Sequence, residues 1–179
     1  MNLPNKLTIG RIVATLFLIV FLLFDAPLFR WGSFILFVLA GVTDLLDGYI
    51  ARRNHLVTAL GKFMDPLADK ILNYSVMVLL IPEGLVPAMT IVLILIREFL
   101  VSGIRQTAVE QGTVIAANVF GKVKTIFQDV SLGVILFFRI FDMPFLTPLS
   151  VALMWISAVL TVASGVVYLI QNIGVFKGQ

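Results

Sequence analysis

The sequence predicts an all-α integral membrane protein, with six transmembrane helices, an N-terminal interfacial helical segment and both termini in the cytoplasm. Composition carries the first part of that reading. Of 179 residues, 60% are hydrophobic and 13% charged, against about 45–50% and about 25% in soluble domains. The mean hydropathy is +1.06. Six spans of roughly 20 residues use about 120 positions. That leaves enough chain for short connections and too little for a water-soluble head, so one membrane domain is expected over residues 1–179. The absence of cysteine excludes a disulfide scaffold, an iron–sulfur cluster and a thiolate zinc site. In such a chain a net charge of +3 fits cytoplasmic loops and anionic headgroups, and implies no nucleic acid.

The apolar runs come in six blocks: Leu7 to Phe24, Trp31 to Arg52, Lys62 to Ile81, Leu85 to Arg105, Lys122 to Phe141 and Phe145 to Ile173. Turn residues punctuate them at Asp25-Ala26-Pro27, Pro82-Glu83-Gly84 and Asp142-Met143-Pro144. The first block follows Lys6 and Arg11 like a signal peptide, but its flank is a poor cleavage context, so it is expected to be retained. Basic residues set the topology. Lys6, Arg11, Arg52, Arg53, Lys62, Arg105, Lys122, Lys124 and Lys177 fall on one side, and only Arg30 and Arg139 on the other. The first side is therefore cytoplasmic, in a cell (plasma) membrane.

Four aspartates interrupt the second and third blocks: Asp44, Asp47, Asp65 and Asp69. Asp44 and Asp47 are i,i+3, with Gly48 and Ala51 continuing their face; Asp65 and Asp69 are i,i+4, with Gly61 one turn earlier. Asp44 lies about 12 Å of helix before Arg52, and Asp69 is similarly deep after Lys62. A short connection makes the two helices an antiparallel hairpin, so both pairs meet on the cytoplasmic side. Each aspartate at mid-bilayer costs roughly 2.5–3.5 kcal/mol. Four would cost on the order of 10 kcal/mol, as much as a whole domain's stability. Either basic side chains or bound cations must compensate. Within the helices, only Lys62 can face Asp65; Asp44 and Asp47 have no base within a turn. Two Mg2+ or Mn2+ ions would balance four carboxylates with the oxygen ligands these cations favour. A metal pair about 4 Å apart can clamp a diphosphate. Gly48 and Gly61 leave room for a headgroup, or for close helix packing.

Asp44, Asp47, Gly48, Ala51 and Arg52, then eight residues, then Gly61, Asp65 and Asp69 resemble the signature of the CDP-alcohol phosphotransferases, small six-helix membrane enzymes. The resemblance implies a CDP-linked lipid donor, attack by an acceptor hydroxyl and release of CMP. It implies that Asp44, Asp47 and Asp65 hold the metals, and that Asp69 shares the second metal and serves as catalytic general base. Gly48, Arg52 and Thr58 would line the nucleotide and diphosphate, together with Gly61; Arg52 also reads as a topology charge.

On the acceptor side, Arg97 and Glu98 lie inside the fourth block, Arg105 ends it, and Lys122 and Lys124 open the fifth. Intramembrane charges mark sites or pathways, and a basic cluster beside a metal site suits an acceptor phosphate. Arg97 could instead pair with Glu98, and the lysines could be topology signals. The stretches Arg97–Arg105 and Gly121–Thr125, and the opening around Asn5, Thr8 and Arg11, resemble the phosphatidylglycerophosphate synthase branch of the family. That branch implies CDP-diacylglycerol and sn-glycerol 3-phosphate as substrates, in phospholipid biosynthesis, with Asn5 and Thr8 near the nucleotide. Asn5 and Thr8 also read as helix caps. A homodimer is implied, and the small-residue face from Ala158 to Gly165 would permit helix packing. Another acceptor (phosphatidylglycerol, inositol phosphate or serine) keeps the same chemistry. A small ion-coupled transporter is the alternative of another class, although no inverted repeat is visible. Trp31 reads as an interface marker at the outer end of the second span; His55, Trp155 and Pro66 are given no role.

Overall fold

The computed structural model of the protein describes residues 3–53, 59–110 and 119–172. Among them all regular structure is helical: α1 (Leu3–Leu22), α2 (Pro27–Arg53), α3 (Ala59–Leu79), α4 (Ala88–Glu110), α5 (Val119–Phe141) and α6 (Thr147–Gln171), with a short 3-10 turn, Pro144–Leu146, before α6. Each of the six expected blocks is a helix. The expected turns are turns: Gly84 takes φ +72° and Asp142 φ 50°, the left-handed region that glycine and aspartate tolerate best.

Helix boundaries shift by up to about five residues from expectation, and the starts of α1, α2 and α3 bear on the packing. Helix α2 starts at Pro27 rather than Trp31, because proline's fixed φ suits a first helical turn and its missing N–H costs nothing there. Helix α3 starts at Ala59, which puts Pro66 inside the helix, where the missing N–H removes a backbone hydrogen bond. The N-terminal stretch is continuous with the first helix, since α1 runs unbroken from Leu3. Thr8 and Arg11 are 1% and 2% exposed, and both bond to other helices within the bundle.

The helices alternate in direction. Near one end Arg11 of α1 meets Asp44 of α2, and Lys124 of α5 meets Glu98 of α4. Near the other, Arg139 at the end of α5 bonds to the Leu22 carbonyl and to Glu83. Helix α1 packs on both α2 and α3, α2 on α5, and α6 on α4 and α5; α2 and α3 were expected to pack on each other as a hairpin, but α1 supplies the partners of Asp44 and Asp65 instead. The apolar core occupies the second half: Leu18, Phe37, Val76, Met77, Leu80, Leu132, Ile135 and Met154 are buried together.

The exterior is apolar, with Phe17, Leu28, Phe99, Phe145 and Ile170 more than half exposed. By length and composition, α6 and the Pro27–Asp44 part of α2 could cross a membrane. Lipid offers apolar helices no gain in burying apolar surface, so association relies on close packing of small residues. Helix α6 shows this: Ser157, Ala158, Thr161, Ser164 and Gly165 are all buried. The face expected to support a second copy is therefore used within the chain, where Gly165 packs on Arg97 of α4.

Candidate active site

Of the three signature carboxylates with described side chains, Asp44 and Asp65 meet partners from α1 and Asp69 meets one from its own helix. Arg11 of α1 forms an ion pair with Asp44 of α2, and the Thr8 hydroxyl of α1 donates to Asp65 of α3. Compensation for Asp44 thus comes from another helix, which a count of bases along its own helix could not show. Asp69 has no ion pair among the described residues. Its oxygen accepts instead from the Asn73 amide, one turn further along α3, at 3.3 Å. The same amide nitrogen donates to Asp129 of α5 at 2.8 Å. Asp69 also lies within electrostatic reach of Asp44, Arg11, Lys124 and Glu98.

These groups edge a cavity of about 380 Å3 between α1, α2, α3 and α5. Its polar end is formed by Arg11, Asp44, Asp69, Asn73 and Asp129, and its wall by apolar side chains including Phe37, Val38, Leu72 and Val130. One end suits a charged headgroup and the other a hydrocarbon chain. Beside it a small polar hollow is lined by Asp69, Lys70, Asn73, Tyr74, Glu98, Lys124, Thr125 and Gln128. Asp69 and Asn73 line both.

Glu98 organises the basic side of that hollow. Its carboxylate accepts from Arg97 Nη1 at 2.9 Å, pairs with Lys124, and has Lys70 Nζ at 3.7 Å. Three cations from α3, α4 and α5 therefore surround one acid, Arg97 and Lys124 buried and Lys70 partly exposed. Arg97 is 9% exposed, and its Nε is buried without a hydrogen-bond partner. Of the four basic residues expected at an acceptor phosphate, the structure brings Arg97 and Lys124 together. Lys122 is exposed. Arg105 is exposed too and lies over the Tyr168 ring, 5.7 Å from its centre, with Nε donating to the Tyr168 hydroxyl at 3.4 Å. Gly61 is buried. The side chains of Asn5, Asp47 and Arg52, the surroundings of Gly48, and Thr58 altogether lie outside the described residues.

Sequence reasoning missed Asn73, Asp129, Lys70 and the pairing role of Arg11. Asp129 carried a usable signal, because an acid within an apolar helix marks a site by default. Lys70 carried the same signal, and Asn73 carried none, since its significance comes from α5 packing against α3.

The match to a known family covers these elements together: the model of the CDP-alcohol phosphatidyltransferases matches residues 1–163. The chain belongs to that family. Among relatives of this CDP-alcohol phosphatidyltransferase, one from Bacillus subtilis is 38% identical over 96% of this chain and 95% of its own length. A second, from Rickettsia bellii, is 39% identical over 93% of each chain. Both are named CDP-diacylglycerol–glycerol-3-phosphate 3-phosphatidyltransferase. A rice relative, 36% identical over 94% of this chain and 56% of its own length, is named cardiolipin synthase (CMP-forming).

Family members generally depend on a divalent metal. The donor set here is the right chemistry for a hard cation, being carboxylate oxygen on facing helices. Among the described residues, however, no three acidic side chains converge closely enough to hold an ion. Asp44 is drawn to Arg11 and Asp65 to Thr8; a closed cage needs these carboxylates turned toward one another and joined by Asp47.

Proposed function

We propose that the chain transfers a phosphatidyl group from CDP-diacylglycerol to sn-glycerol 3-phosphate, giving phosphatidylglycerol phosphate and CMP. The observation that carries this reading is the position of Asp69, in the wall shared by an acidic, apolar-walled cavity and a basic hollow. The larger cavity takes the donor, with its diphosphate toward the aspartates and its tails along the apolar wall. The hollow takes the acceptor, with its phosphate among Lys70, Arg97 and Lys124. An acceptor hydroxyl held at Asp69 then faces the phosphorus that bears the diacylglycerol. The hydroxyl oxygen bonds to that phosphorus, the bond to the CMP oxygen breaks, and Asp69 takes the hydroxyl proton. Asp44, Asp47, Asp65 and Asp69 would hold two Mg2+ or Mn2+ ions, which when bound draw charge from the diphosphate. Gly48, Arg52, Thr58 and Gly61 would flank the CDP group, with Asn5 and Thr8 nearby.

In this reading all six helices span a cell membrane, with both termini and the site on the cytoplasmic side, where glycerol phosphate is dissolved while the lipid tails stay in the leaflet. Helices α3, α4 and α5 carry charges into the bilayer, and their placement at one end of the bundle fits the excess of basic residues on that side. A homodimer would use faces other than the buried stripe of α6.

The test is CMP release and lipid product formation by the purified protein with CDP-diacylglycerol, Mg2+ and one acceptor at a time. Glycerol 3-phosphate should give both, lost on chelation. Turnover with phosphatidylglycerol alone would assign a cardiolipin synthase, and turnover with inositol phosphate or serine alone the corresponding lipid synthase. No CMP with any acceptor would overturn the enzyme reading and favour a transporter.

A further inference from the structure

The pair Asn73–Asp129 lies outside the family signature, and the transfer step has no use for it. Its hydrogen-bond inventory is unbalanced. Asp69 and Asp129 share a single neutral donor, the Asn73 amide nitrogen. That sharing fixes the amide's orientation, since the reverse placement would set its oxygen against two carboxylates. The Asn73 carbonyl oxygen is then buried, in a residue 4% exposed, with no hydrogen-bond partner. Acceptors exceed donors here, and a buried unsatisfied acceptor is costly. The missing group is a hydrogen-bond donor without negative charge. A phosphate is repelled by the carboxylates, and the ester and diphosphate groups of the lipid offer only acceptors. A hydroxyl fits.

Two ligands of the proposed reaction carry hydroxyls: the acceptor polyol and the ribose of the donor. Asn73 follows Asp69 by one helical turn and lines the basic hollow with it. The neighbouring hydroxyl of an acceptor whose reacting hydroxyl sits at Asp69, and whose phosphate sits among the three cations, falls beside Asn73. Resting on the proposed transfer reaction, we infer that Asn73, held by Asp129, is a specificity-determining residue that accepts the hydroxyl adjacent to the reacting one on the acceptor. The site would select a vicinal diol phosphate over an acceptor with a single hydroxyl.

The test measures kcat/KM for sn-glycerol 3-phosphate and for 3-hydroxypropyl phosphate, which lacks the middle hydroxyl. It uses the wild type, Asn73→Leu, Asp129→Leu and the isosteric Asp129→Asn. The wild type should prefer glycerol 3-phosphate by about 10- to 100-fold, the range of one hydrogen bond within a charged network. The preference should fall to within about threefold in Asn73→Leu and Asp129→Leu, and to an intermediate value in Asp129→Asn. Each ratio is read within one protein, so a loss of folded material cancels. A preference that is unchanged in the variants overturns the inference while leaving the transfer reaction standing. So does a change in the variants confined to the discrimination between ribose and 2′-deoxyribose forms of the CDP-lipid, measured in the same proteins with glycerol 3-phosphate as acceptor. No turnover of either acceptor by the wild type defeats the transfer reading itself.

Discussion

The two ends of the bundle each hold buried arginine, several acids and a cavity of about 400 or 380 Å3, yet they are built to opposite plans. At the α5–α6 turn the charges close on one another. Arg139, 5% exposed, donates Nε to both oxygens of Glu83 at 2.9 Å and Nη2 to the Leu22 carbonyl at 3.2 Å. Arg30 meets Asp25 at 2.8 Å and Asp142 at 3.4 Å. Each of those three acids has a base, and the cluster ties the α1–α2, α3–α4 and α5–α6 turns together. At the signature end, two carboxylates share one neutral donor while three cations crowd one acid. A charge cluster in which every acid meets a base is scaffold; one that leaves two carboxylates on a single neutral donor beside three cations on one acid is arranged for a ligand of both characters, such as a metal-bound diphosphate beside a free phosphate.

Substitutions at the two ends should therefore fail in different ways. The largest effect is expected for Asp69→Asn, which should lower kcat by about 100- to 10,000-fold, the usual worth of a general base. Its thermal unfolding in detergent should match the wild type. Arg139→Ala should do the reverse, leaving Glu83 without its partner and destabilising the fold by about 3 kcal/mol, while turnover per folded molecule holds. A matching loss of stability in both variants would erase the distinction between the ends. Gly165→Ala should act at intermediate strength. Its added carbon would come within 2.7 Å of Arg97 Cγ, displacing the guanidinium and raising KM for glycerol phosphate about tenfold, the loss expected of one charge-assisted contact. KM for the lipid should hardly move. Arg105→Ala should have the smallest effect, raising KM for glycerol phosphate about two- to threefold, because an exposed cation is worth under about 1 kcal/mol. A loss as large as that from Gly165→Ala would place Arg105 in the acceptor site after all.

The sequence made the helices and the signature legible because both are local properties. Six apolar runs and three turn triplets need no tertiary information, and the spacing of Asp44, Asp47, Asp65 and Asp69 is read along two successive helices; that α1 packs on both of them, where a directly packed hairpin was expected, is not. What could not be read was which helix supplies the partners. Arg11 counted as a topology charge, yet it is buried against Asp44 because α1 packs on α2. Lys70 looked idle because it is adjacent to Asp69, but it reaches Glu98 of α4. The small residues from Ala158 to Gly165 announced close packing correctly and left its partner open; that partner includes Arg97.

Ligand-linked stability tests the contrast most directly. Thermal unfolding should be measured for the wild type and for Asp44→Asn, with and without Mg2+ plus CMP. If the signature end holds charge in excess for a ligand, Mg2+ with CMP at about 100 times Kd should stabilise the wild type by about 2.7 kcal/mol, and the variant far less. An unfolding temperature that neither ligand moves, or that moves equally in both proteins, would contradict a ligand site at these aspartates.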